Sequence, residues 1–330
     1  LVKQLLKNTY DVRLPEVVLV YLTGKPRRGI GPHDIAIALT KAVFADGFVK
    51  NRVLEFVGPG IKNLPVDFRN GIDVMTTETT CLSSIWETDE QVRDFYAIHG
   101  RPECYKKLSP ASVAYYDRLI TIDLDKAEAM IALPFHPSNA YTIHEFNENA
   151  KEILAGVEKE ASEKFGKVKF DLVSKVKDGK VYADQGIIAG CSGGLFDNIC
   201  EAAALLEGKN TGNSYFNLSV YPTSVPVSIA LTENGSTRKL LEAGAVIKPS
   251  FCGPCFGAGD VPANNGFSLR HTTRNFPNRE GSKPGERQLA GVALMDSRSI
   301  AATAANGGVV TAATDIEYDS KEMPYTFDQT

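Results

Sequence analysis

Apolar and polar positions alternate along this chain in a rhythm that changes period several times, and the changes mark its elements. Val17-Val-Leu-Val-Tyr-Leu22 is a continuous β-branched and aromatic run closed by Gly24, the pattern of a buried strand. From Asp34 to Ala45 the apolar residues recur at helical spacing, with Gly-Pro-His before them and Asp46-Gly47 as a stop signal. Asn51 to Val57 predicts a second strand, ending at Gly58-Pro59-Gly60. This strand-helix-strand rhythm predicts an α/β fold. Thr88, followed by Asp89-Glu90-Gln91, opens a capping-box helix that ends near Gly100, and Arg118 to Leu124 predicts another strand. Leu133-Pro-Phe-His-Pro-Ser-Asn139 has two prolines and no period, which places a domain boundary there. A charged amphipathic helix from about Glu145 to Lys164 follows. The strand Val181 to Ala189 then runs into Gly190-Cys191-Ser192-Gly193-Gly194 and a helix from Leu195 to Leu206, so backbone amides point at whatever sits over the turn. From Pro249 onward regular structure is expected to thin, with a polar, turn-rich segment from His271 to Glu286 and one last short helix from Ser299 to Ala305.

Composition narrows the class. With 330 residues, 43% hydrophobic and 23% charged, the chain can bury two moderate cores. A formal charge of -4 with no long run of Lys or Arg offers no broad face for nucleic acid or an anionic membrane, although a small acidic substrate needs only a local basic pocket. No apolar stretch approaches bilayer length and no signal segment opens the chain, so a cytoplasmic location is expected. The chain opens at Leu1 without a methionine and runs quickly into strand-like sequence, which reads as an entry in mid-domain.

Six cysteines are too few for a disulfide scaffold, so position decides their use. Phe251-Cys252-Gly-Pro-Cys255-Phe256 can close on one metal or on itself. A thioredoxin-like pair needs a helix after its first cysteine, and Gly257-Ala-Gly-Asp-Val-Pro262 is a poor helix former, so no helix is expected there. Cys191, in the glycine-rich turn, completes a three-thiolate set. Three thiolates on a 4Fe-4S cluster leave one iron open to a substrate hydroxyl and carboxylate. A zinc site completed by Cys200 or a histidine is the competing metal reading. Cys81, Cys104 and Cys200 read as small buried hydrophobes. Arg274-Asn-Phe-Pro-Asn-Arg279 sets two guanidinium groups at a spacing suited to gripping carboxylates, against the simpler reading as surface arginines. Glu78, in the otherwise uncharged Met75-Thr-Thr-Glu-Thr-Thr-Cys81, either faces water or is held near a site.

These residues, in this order, resemble the aconitase family of dehydratases. In that family a cysteine in a strand-to-helix turn and a Cys-Gly-Pro-Cys pair ligate a 4Fe-4S cluster, and Cys191, Cys252 and Cys255 fall on those positions. Arg274 and Arg279 sit in a segment similar to the family's Arg-Asn-Phe-x-Gly-Arg stretch, which binds substrate carboxylates, with Asn278 in place of the glycine. The Glu78 segment through Trp86 looks like the family's Gly-Ala-Glu stretch, whose glutamate helps organise the metal-bound oxygen. There are departures. Thr273 stands where the family has an asparagine before the first arginine, Val74 replaces another, and Ser192-Gly193 replaces the Thr-Asn after the first cluster cysteine. No Asp-Ser-His triplet occurs in the chain, although the family's acid-base apparatus includes one.

The resemblance implies aconitase-like three-layer α/β domains with partly parallel sheets. It divides the chain into a remnant of an N-terminal domain at 1–33, one α/β domain at 34–132, a cluster-bearing domain at 133–318 and a tail at 319–330. It implies a 4Fe-4S hydro-lyase of a small tricarboxylate, isomerising citrate and isocitrate through cis-aconitate as in the tricarboxylic acid cycle. The alternatives are a related hydratase of homocitrate, isopropylmalate or methylcitrate and, outside that class, a non-catalytic metal-binding module. The expected partners are the family's N-terminal domain and its C-terminal swivelling domain, which supplies the serine base. The chain alone is therefore expected to be inactive.

Overall fold

The computed structural model describes residues 2–166, 169–212, 215–277 and 289–327, and in it two sheets divide the chain. The first is built from β1 (Val17–Thr23), β2 (Val53–Val57), β3 (Ser83–Trp86) and β4 (Arg118–Asp123). It is parallel throughout, in the order β3-β2-β1-β4. The second uses β5 (Met130–Ala132) and β6 (Ala140–Thr142). After a small separate hairpin of β7 (Val176–Lys177) and β8 (Lys180–Val181), it adds β9 (Gln185–Ala189), β10 (Asn217–Tyr221) and β11 (Val246–Ile247). The last two strands are β12 (Phe267–His271) and β13 (Gly291–Met295). Its order is β11-β10-β9-β12-β13-β5-β6, parallel through β13 and antiparallel for β5 and β6. The expected α/β class with partly parallel sheets is what forms. β1, which falls within 1–33, lies inside the first sheet between β2 and β4, and β5, which precedes residue 133, lies in the second.

The helix Pro32–Phe44 joins the two sheets. Proline in its first turn fits a position where the missing N–H is not needed, and the Asp34 carboxylate accepts the Gly31 N–H at 2.8 Å. Its Ile35, Leu39 and Val43 share the core with Val18, Val20, Leu54 and Phe56, while Ala36 and Ile37 pack with Met130, Ala132, Ala140 and Leu294. Among the described residues no helix is long and apolar enough to cross a membrane.

Three expectations shift. The helix expected over 145–164 is two helices, Ile143–Glu148 and Ala150–Phe165, because the Asn149 amide donates to the Glu145 carbonyl and stops the first one. The capping-box helix starts one residue late. Asp89, not Thr88, accepts from the Val92 N–H, while the Thr88 hydroxyl bonds Lys106 and Leu108. The stretch beyond Pro249 carries two buried strands, β12 and β13, where regular structure was expected to thin.

Candidate active site

β9 and β12 are neighbours, yet the chain leaves β9 toward β10 and β11 on one side before returning to β12 on the other. Such a reversal opens a crevice at the carboxyl ends of parallel strands, the place where open α/β sheets bind ligands. Gly190-Cys191-Ser192-Gly193 leaves β9 as a single helical turn, and Thr272-Thr273-Arg274 leaves β12 beside it. Cys252 and Cys255 enter from a loop. Together Ala189, Gly190, Cys191, Ser192, Cys252, Cys255, Thr272 and Thr273 line one pocket, so the three cysteines singled out from sequence meet.

A helix does follow Cys252, contrary to expectation, but it is one turn, Gly253–Phe256, halted by Gly257 at φ 88°. Proline in that first turn favours it, and the glycine-rich sequence beyond cannot continue it. The loop is held from beneath by Arg270, 1% exposed on β12. Arg270 Nη1 donates to the Pro254 carbonyl at 2.5 Å and Nη2 to the Asp260 carbonyl at 3.2 Å, while Ser268 and Gln185 brace it in turn. Sequence reading missed Arg270. Its one signal was a guanidinium inside the otherwise strand-like Phe267-Ser-Leu-Arg-His271.

The Cys191 turn is fixed by a buried polar network. The Ser192 carbonyl accepts from Asn198, Asn198 accepts from Arg298, and Arg298 pairs with Asp296 at 3.0 Å. Asp296 also accepts the His33 N–H at the start of the helix Pro32–Phe44, locking the two halves together. Burial raises Asp296, but Arg298 and His271 outweigh it and bring its pKa down to about 2. His271 lies against His33, the two rings tilted by 34° with centroids 4.2 Å apart, and burial lowers its pKa to about 4. Its Nδ1 accepts the Ser297 N–H at 2.9 Å, so this ring is neutral and carries its proton on Nε2. Gly193 is explained by the same packing: a Cβ there would stand 2.4 Å from the His271 carbonyl oxygen, which leaves no room for a side chain.

Glu78 and Arg274 come together across 196 positions, with Arg274 Nε donating to Glu78 Oε1 at 2.7 Å. Glu78 is buried, 5% exposed, which settles its two sequence readings against the solvent. Arg274 also acts on the thiols electrostatically. Partial burial pushes the Cys191 thiol up, the neighbouring Cys252 and Cys255 add to this, and Arg274 pulls it down. Asn275 anchors the next position by donating to the Ala132 and Leu133 carbonyls. Arg279 lies outside the described residues. Of the other cysteines, Cys200 is buried, accepts from Asn234 and Ser236, and is pushed up to about 11 by burial, which suits a packing role. Among the described residues no three His, Cys, Asp or Glu side chains are arranged to hold one ion.

The chain is 29% identical over 296 residues to a 3-isopropylmalate dehydratase large subunit of Thermotoga maritima, covering 89% of this chain and 62% of that one. It is 26% identical to the 2,3-dimethylmalate dehydratase large subunit of Eubacterium barkeri, covering 84% and 58%. It thus spans about three fifths of the curated relatives it matches. A solved structure of aconitase X from Thermococcus kodakaraensis matches at 12% identity and a TM-score of 0.37, over 81% of this chain and 50% of that one. The model of the aconitase (aconitate hydratase) family matches residues 1–302, and the chain belongs to that family.

Proposed function

We propose that this chain is the cluster-bearing part of a hydro-lyase that reversibly dehydrates a hydroxy dicarboxylate of the substituted-malate type. The observation that carries this reading is the meeting of Cys191, Cys252 and Cys255 on one pocket, within electrostatic reach of Arg274, which is paired with Glu78. The donor set fits a 4Fe-4S cluster. Each thiolate of such a cluster sits on a different iron, so the thiols line a shared pocket without converging on one point. The buried Thr272 hydroxyl in the same wall has no partner among the described residues. When bound, the cluster would supply Lewis acidity toward a substrate hydroxyl.

The residues of the chain do the rest. Arg274 offers a planar fork for a substrate carboxylate, and Glu78 fixes the plane of that fork through Nε. Arg279 is proposed to take a second carboxylate. Glu78, which is held out of water, is proposed to hydrogen-bond the departing hydroxyl. In the reaction the C–OH bond and the C–H bond of the adjacent carbon break, a C=C bond forms, and water leaves. By the family resemblance, the base that takes the proton belongs to a swivelling part. Relatives named as large subunits support placing it on a separate small subunit. Those relatives also favour a substituted malate over the citrate first expected, and they give no support to a place in the tricarboxylic acid cycle.

Anaerobic reconstitution tests this. The expected result is near-equal iron and acid-labile sulfide, lost in Cys191→Ser, and a cluster EPR signal perturbed by 3-isopropylmalate or 2,3-dimethylmalate but not by citrate. Zinc alone in the thiol site, or iron retained by the serine variant, would sink the cluster assignment. A response to citrate alone would return the substrate to the tricarboxylates.

A further inference from the structure

Three hydroxyl side chains stand in or beside the three-cysteine pocket, and two have something to face. The Ser192 hydroxyl lies 3.5 Å from His33 Nδ1, and the Thr273 hydroxyl lies 3.4 Å from Cys255 Sγ. Thr272 is different. It is 2% exposed, lines the pocket, and its Oγ1 is buried with no hydrogen-bond partner among the described residues. A buried hydroxyl without a partner weakens a fold, and a valine of nearly the same shape would remove the penalty. Main-chain position does not demand threonine either, because Thr272 directly follows a strand, where β-branched residues are interchangeable.

We propose that the Thr272 hydroxyl is a donor to the sulfur of the bound cluster, tuning its reduction potential, with Thr273 doing the same for the Cys255 thiolate. The proposal rests on the cluster reading above. An O–H donor stabilises the more negative, reduced form of an iron-sulfur centre and so raises its midpoint potential. Both groups come from the loop that delivers Arg274, so substrate grip and cluster electronics are set by consecutive residues.

The test compares the full chain with Thr272→Val and Thr272→Ser after anaerobic reconstitution, reading iron and sulfide content, midpoint potential by EPR-monitored redox titration, and melting of the metal-free proteins. Metal-free Thr272→Val is expected to melt no lower than the parent. Once loaded, it should show a lower midpoint potential or a faster loss of cluster, and Thr272→Ser should restore the parent behaviour. Equal midpoint potentials and cluster lifetimes in parent and valine variant would overturn the proposal. So would a valine variant that melts early or fails to fold without metal, since the chain itself would then be using the hydroxyl. Failure of the parent to take up iron and sulfide removes the cluster reading and this proposal with it, whereas normal loading with an indifferent Thr272→Val removes this proposal alone.

Discussion

Both sheets are built on parallel strands, but they are packed differently. In the second sheet every residue of β9, β12 and β13 is buried, so each strand is covered on both faces. The first sheet alternates. Val18, Val20, Leu22, Leu54 and Phe56 are fully buried, while Leu119 on the opposite face is 58% exposed, with Tyr21 and Ile85 exposed beside it. Parallel sheets are normally covered on both sides. The sheet with two covered faces carries the cysteine turn, the Arg270 brace and the Arg274 loop at its carboxyl edge. The half-covered sheet supplies the site only indirectly, through Glu78 in the segment between β2 and β3. Burial is concentrated where several loops must be held in register.

The sharpest way to break this contrast is a pair of truncations. Leu269→Ala in β12 is expected to lower stability by about 2–5 kcal/mol, and Leu119→Ala in β4 by no more than about 0.5 kcal/mol, in denaturant unfolding. Similar losses at both positions would show that the outer face of the first sheet is packed. Next in size is Gly193→Asn, two positions beyond Cys191. The collision with the His271 carbonyl should lower stability by about 1–3 kcal/mol, and an unchanged melting temperature would refute the steric account of Gly193.

Arg270→Met strips the Pro254 carbonyl of its donor, leaves the Asp260 carbonyl with Gln185 alone, and should lower stability by about 1–3 kcal/mol. Its more specific signature is faster amide exchange confined to Cys252–Asp260, with β1 and β2 unaffected. Uniformly faster exchange would mean that Arg270 supports the sheet rather than the loop.

Titration gives the smallest effect. Burial, and then the neighbouring Asp67, raise Asp197 to about 7 from an ordinary 3.8. Between these values the folded chain holds a proton that the unfolded chain has released, so this group's contribution to stability declines as pH rises through that window. His271 acts the other way. Its folded value of about 4 lies below the ordinary 6.5, so its contribution is present above 6.5 and declines as pH falls toward 4. Asp197→Asn should therefore raise stability at pH 8 by about 1 kcal/mol, allowing for partial exposure, and change it little at pH 4. An equal change at both pH values would assign the effect to packing.

The sequence made some of this legible, and the limits are instructive. β1 and the helix after it were readable because local pattern and tertiary role agree: a continuous apolar run is buried, and a 3.6-residue period faces a core. β12 escaped because Ser268, Arg270 and His271 break its apolar run, and their burial depends on partners such as Gln185 and Pro254 that no local window contains. The cysteines were legible as a set through their resemblance to a known pattern. The Arg274–Glu78 pair was legible as two candidates but not as a contact, since nothing local records a bond spanning 196 positions.

The placement of β5 against the last strand of its sheet also has a consequence in time. Asn275 reaches back 143 positions to the Ala132 carbonyl, and β13 arrives later still. On a ribosome adding about 5–20 residues per second, the β5–β6 pair waits roughly 7–30 s with one edge unsatisfied. The nascent chain therefore emerges with its second sheet seeded at one border and completed only when β13 closes the gap beside β5. That interval is when a chaperone that shields exposed strand edges would have the most to do.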